Sequence, residues 1–189
     1  MMAKADQHGG RRGIPWRLLG WGAAGALLLA PAIAKQFTHE VSWSAFDFAF
    51  AAAMLGVVGL GLELAFRSGN VDFRVAAAIA LALGFVTIWF TGAAGVIGSE
   101  GDGANLLFGG VLAVALVGAL LARFRAAGMA WAMGAAAVAQ VLVPVVAAAA
   151  DLSPPSLVWA PEVLILTAAF TALWLASAWL FRRAATAAE

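Results

Sequence analysis

Six apolar runs, at about 16–34, 46–66, 75–98, 104–122, 129–150 and 163–181, occupy most of a 189-residue chain. Each is roughly 19 to 24 residues long. At about 1.5 Å of helical rise per residue, each can cross a hydrocarbon core of about 30 Å. Inside lipid every backbone N–H and C=O needs a partner, which leaves only helices and closed barrels. Barrel strands read as alternating segments of about ten residues, and these alanine- and leucine-rich runs do not alternate. The expectation is an all-α, six-helix transmembrane bundle, residues 16–183, between a basic tail at 1–15 and a short tail at 184–189. Composition agrees, with 64% hydrophobic and 11% charged residues, against about 25% charged in a soluble domain. The lipid bilayer is the partner such a composition demands, and no nucleic acid partner is expected.

Orientation follows from arginine and lysine. Numbering the connections alternately puts Lys4, Arg11, Arg12, Arg17, Arg67, Arg74, Arg123, Arg125, Arg182 and Arg183 on one side, and only Lys35 on the other. Positive charge stays cytoplasmic, so both termini are expected there. Glu40, Asp47, Glu100, Asp102, Asp151 and Glu162 then fall on the outer side. The first run also imitates a signal peptide, with Arg11-Arg12 ahead of it and Ala32-Ile33-Ala34 as a small-residue cleavage pattern. Its length favours retention as a helix. Phe66-Arg67, Phe124-Arg125 and Phe181-Arg182 recur near the ends of alternate runs. Three repeated hairpins would do this, and so would dipole-complementing charges on hairpins of similar length.

Between the third and fourth runs lies the longest polar interruption, Gly95-Val-Ile-Gly-Ser-Glu-Gly-Asp-Gly-Ala-Asn105. Glu100, Asp102 and Asn105, with His39 and Glu40 from the first outer loop, could supply oxygen and imidazole ligands to a cation. No calcium-loop spacing is present, however. The glycines suit turns whether or not anything binds, and Asp102 can cap the fourth helix. No metal site or cofactor is expected. At depth the polar supply is thin. Gln140 is mid-helix, and Pro144 cannot donate to its carbonyl, so both side chain and backbone there look for partners. Trp89 faces either a cavity or the packed core, and Thr87 and Thr91 on the same helix are expected to bond their own backbone four residues back.

What is missing restricts chemistry. The chain has no cysteine and two histidines, His8 and His39, neither within an apolar run. Bis-histidine haem, thiolate chemistry and iron–sulfur clusters are therefore not expected. Its two lysines, Lys4 and Lys35, are not placed for a retinal Schiff base. No serine–histidine pair or facing aspartates occur at depth, and no phosphate loop is present. The expectation is a non-enzyme.

Phe37-Thr-His-Glu-Val-Ser-Trp43, Phe46-Asp-Phe48, Trp89, Gly95-Val-Ile-Gly-Ser-Glu100 and Ala104-Asn105 together resemble a group of small, uncharacterised bacterial inner-membrane proteins. Over most of the chain after Trp16 the likeness holds, although that group tends to carry Asn at Thr91 and Asp-Asn-Pro at 101–103. The resemblance implies a bacterial inner membrane and brings no activity. Two functional expectations remain. The first is a structural or accessory subunit, packing on other membrane proteins or on itself through small-residue faces. The second is a small-solute or ion transporter with a path near Gln140, Trp89 and the acidic outer loop.

Overall fold

The computed structural model describes residues 16–37, 43–93, 95–99 and 101–187. They are all-helical, with no strand among the described residues. The helices are α1 Trp16–Phe37, α2 Ala45–Phe66, α3 Val71–Ala93, α4 Leu106–Leu121, α5 Ala126–Ala149, the single turn α6 Pro155–Val158, and α7 Pro161–Thr186. Six of them are long and apolar enough to cross a membrane. The chain divides into two compact units, residues 1–59 and 60–189.

In the first unit, the start of α2 is written in the sequence Ser44-Ala-Phe-Asp47. The Ser44 N–H and hydroxyl both donate to the Asp47 carboxylate, at 2.7 and 2.8 Å, and the Asp47 N–H donates to Ser44 Oγ at 3.3 Å. This reciprocal capping box satisfies backbone donors that a helix start leaves open. Lys35 Nζ donates to the Trp43 carbonyl at 2.9 Å, tying the end of α1 to the approach of α2. Trp21 lies over Gly59, where a Cβ would come within 2.9 Å of the ring. The missing side chain is what lets the indole come this close to α2.

The second unit is an antiparallel bundle in which α5 packs between α4 and α7, and α3 packs on α7. Its register is fixed by a few contacts. Ser177 Oγ donates to the Ala76 carbonyl at 2.9 Å, and the Phe73 and Phe181 rings meet edge to face at 5.1 Å. Along α5 the buried positions Met129, Ala132, Met133, Ala136, Ala137, Gln140, Val143, Pro144 and Ala147 follow the three–four spacing of one helical stripe. Four of the nine are alanine, and this smallness sets the packing. A Cβ on Gly118 would stand 2.7 Å from Ala132 Cβ, and one on Gly128 would stand 2.6 Å from Ala122 Cβ. So α4 and α5 run almost backbone to backbone, as small residues permit where lipid supplies no hydrophobic drive. The larger fillers, Phe108, Trp174 and Phe181, come from α4 and α7 and are all about 1% exposed or less.

One end of this unit carries the arginines. Asn70 Oδ1 accepts from the Phe73 N–H and starts α3, Arg74 Nε donates to the Ser68 carbonyl, and Arg183 pairs with Asp72 at 3.2 Å. The α4–α5 turn at this end holds Arg123 and Phe124 in the left-handed region, at φ 49° and 58°.

Element boundaries depart from the sequence expectation mainly at α3. It runs from 71 to 93, so Gly95–Gly98, expected within the third span, lies in the following loop. Gly95 takes φ 75° and Gly98 φ 66°, a region favouring glycine, and the apolar Val96 and Ile97 between them are core residues of a loop. At the other end of the chain α7 continues to Thr186, through the segment expected as a tail. Residues 1–15 are outside those described.

The closeness of α4 and α5 is testable. Gly118→Leu should lower bundle stability by about 1–3 kcal/mol through overpacking against the Ala132 backbone, whereas Gly134→Ala, with nothing within 4 Å of the added carbon, should not. Thermal unfolding of the two variants in detergent checks this.

Candidate functional site: the loop between α3 and α4

Asn105 organises the loop. Its Oδ1 accepts from the Val96 and Ile97 N–H groups at 2.9 and 3.0 Å. Its Nδ2 donates to the Ile97 and Ser99 carbonyls at 3.1 and 2.7 Å. An asparagine amide offers two donors and two acceptor positions, and all four are used. Both N–H groups face one end of the amide and both carbonyls the other, so the orientation of the group follows from the network itself. The side chain acts as a neighbouring strand would, satisfying backbone groups that the break after α3 leaves open. Ile97 is thereby held fully buried in the bundle core, beside Ala104 and Val158.

Asp102 makes the second connection. Its Oδ1 accepts from the Ala104 N–H at 3.0 Å, capping the 3-10 turn Gly103–Asn105 that leads into α4. Its Oδ2 accepts from Ser153 Oγ at 2.5 Å. Ser153 belongs to the α5–α6 turn, 51 residues away in sequence, so this bond links the two connections at this end of the unit. The Ser153 hydroxyl first, and then the Ala104 N–H, hold the Asp102 carboxyl below its ordinary value of 3.8. Gly98 is required here, since a Cβ would lie 2.8 Å from Asp102 Oδ2 and 3.3 Å from Leu157 Cδ1.

The remaining sequence candidates scatter. Glu100, His39 and Glu40 lie outside the described residues. Trp89 is 43% exposed and stacks on Phe85 with ring centroids 6.1 Å apart, on the outward side of α3. Gln140 is 1% exposed, and its Oε1 has no hydrogen-bond partner among the described residues. So Asp102 and Asn105 come together, with Ser153 added, while Gln140 belongs to the bundle interior. No group of three or more His, Asp or Glu side chains among the described residues could hold a metal ion.

Gln140 has company that its own position in the sequence does not reveal. Thr87 Oγ1, Thr167 Oγ1, Thr171 Oγ1 and Trp174 Nε1 are also buried without a hydrogen-bond partner among the described residues. Thr91 does bond back to the Thr87 carbonyl at 2.8 Å, but Thr87, expected to do the same, does not. Following the Ala76–Ser177 register along both helices brings Thr87 level with Thr167. The groove shared by Trp131 and Trp179 likewise sets Gln140 level with Phe170 and Thr171. The signal for this cluster was the spacing Thr167, Thr171, Trp174 on one side of α7, which reads as ordinary core until the register is known.

Comparison with known protein families, curated proteins and solved structures finds no match to this chain.

The Asp102–Ser153 bond predicts a pH signature. A carboxyl whose folded pKa is depressed contributes stability above its unfolded value and loses it as pH falls through the folded pKa. Wild type should therefore exceed Ser153→Ala in thermal stability near neutral pH, and the gap should narrow as pH drops below about 4. Unfolding temperatures measured in detergent between pH 7 and pH 2.5 check the sign.

Proposed function

We propose that this chain is a structural or accessory subunit of a bacterial inner membrane, without catalytic activity of its own and with both termini cytoplasmic. The observation that carries the reading is the engagement of Asn105 and Asp102 by the chain around them. All four hydrogen-bonding positions of Asn105 are spent on the chain itself, and each carboxylate oxygen of Asp102 accepts a bond from it. To bind a cation, Asn105 would have to give up bonds that hold Ile97. Lipid-facing surfaces rich in small and apolar side chains, such as those around Gly109, Gly110 and Val114 on α4, suit packing against another membrane protein or a second copy. Ten basic residues against one support the orientation.

The buried polar groups favour a second reading, transport. Leaving one such group unpaired costs about 1–3 kcal/mol, and polar side chains at membrane depth often mark solute or ion pathways. Thr87, Gln140, Thr167 and Trp174 are each 7% exposed or less, so a path through them would need helices that part.

Gentle purification of the tagged chain from its native membrane, with mass spectrometry of what accompanies it, separates the readings. The accessory role predicts a stoichiometric membrane partner or a defined self-assembly. It also predicts that Gln140→Leu keeps that assembly and raises bundle stability by about 1–3 kcal/mol, because a buried amide oxygen without a partner among the described residues is replaced by an apolar side chain. A lone chain that moves solute in vesicles, with flux lost in Gln140→Leu, would overturn it.

A further inference from the structure

At the arginine end of the second unit, α5 and α7 line an open groove of about 510 Å3. Its floor is made of Ala127, Ala130 and Gly134 from α5 and Ala178 from α7. These positions are one to two turns apart, and their smallness is what makes the depression. An added carbon on Gly134 would meet nothing within 4 Å. Two indoles flank the floor, Trp131 at 82% and Trp179 at 57% exposure. Arg182 and Thr186 close the groove toward the helix ends.

We infer that this groove is a binding site for an anionic phospholipid of the leaflet at the arginine end, one acyl chain lying between Trp131 and Trp179 and the phosphate resting against Arg182.

Three features support that occupant over a polar solute or a protein helix. The first is length. From Leu175 to Thr186 the α7 wall extends about 16 Å along the helix, close to half of a hydrocarbon core of about 30 Å and so to the depth of one leaflet. The second is charge. Arg182 is exposed and makes no ion pair among the described residues, while its neighbour Arg183 is occupied by Asp72 and lies over the Trp179 ring at 4.8 Å. The chain thus presents one guanidinium, with its geometry of several donors, where a phosphate would sit. The third is polarity along the groove. It runs from Gly134 and Leu175 at the deep end to Arg182 and Thr186 at the rim, the same order as acyl chain and headgroup. Tryptophans at its sides match the preference of indole rings for the membrane interface.

The site is independent of whether the chain is an accessory subunit or a transporter. Its test uses the full chain reconstituted in phosphatidylcholine vesicles, titrated with either dibrominated phosphatidylglycerol or dibrominated phosphatidylcholine. Bromine on an acyl chain quenches indoles that it touches, and Trp131 and Trp179 are the reporters. Half-maximal quenching should require about fivefold less of the anionic lipid, the ratio expected for about 1 kcal/mol from one arginine near the surface. Arg182→Gln should collapse the two curves onto each other, and Gly134→Leu, which fills the deep end with the arginine intact, should do the same. Replacing both Trp131 and Trp179 by leucine should remove the selective component. Arg67→Gln, which removes a positive charge outside the groove, should keep the wild-type ratio. Equal curves for the two lipids in wild type would overturn the site, as would a selectivity that survives Arg182→Gln. A loss as large in Arg67→Gln would also overturn it, showing only a diffuse attraction to the basic end.

Discussion

A backbone that leaves a helix beside hydrocarbon must find new partners for its N–H and C=O groups, and in the α3–α4 connection one side chain supplies them. Asn105 pairs with two N–H groups and two carbonyls of residues 96–99. With those pairs in place Ile97 can enter the core, and the chain can turn from α3 into α4 without exposing bare peptide to the apolar interior. Asp102 then adds the bond to Ser153 that joins this connection to the one between α5 and α6. At this end of the unit the two connections are joined by a side-chain hydrogen bond.

Below that closure the helices rely on size. Alanine and glycine along α4 and α5 bring the backbones together, while the bulk needed to fill the remaining space comes from Phe108, Trp174 and Phe181. The same close packing has a cost. Thr87, Gln140, Thr167, Thr171 and Trp174 project polar atoms into the interior without a protein partner among the described residues. Ser177 shows the alternative, reaching the Ala76 carbonyl across α3. At the arginine end, small residues on α5 and α7 line a surface groove.

Much of this was legible in the residues, for identifiable reasons. Apolar length without alternation specifies six helices, since only helices and closed barrels satisfy the backbone across a bilayer. Asp102 as a cap was legible because capping is local. The end of α3 was not. Val96 and Ile97 prolong the apolar run, and only the left-handed angles of Gly95 and Gly98 reveal that the helix has already stopped. The Asp102–Ser153 bond was illegible because its partners are 51 residues apart, and a serine before two prolines reads as a turn residue. Gln140 stood out by itself, but the threonines and tryptophan that share its situation needed the α3–α7 and α5–α7 registers. As for the acidic loop, its composition suggested ligands, whereas the geometry gives Asp102 and Asn105 internal partners.

The central claim is that this loop is a folded closure held by Asn105, and amide hydrogen exchange tests it most directly. In bilayer nanodiscs the Val96 and Ile97 N–H groups should exchange as slowly as amides in the middle of α4 and α5, and Asn105→Ala should release them while the helices stay protected. Rapid exchange at Val96 and Ile97 in the wild-type chain, with α4 and α5 protected, would contradict the account and return the loop to the status of an open, solvated segment available to bind a ligand.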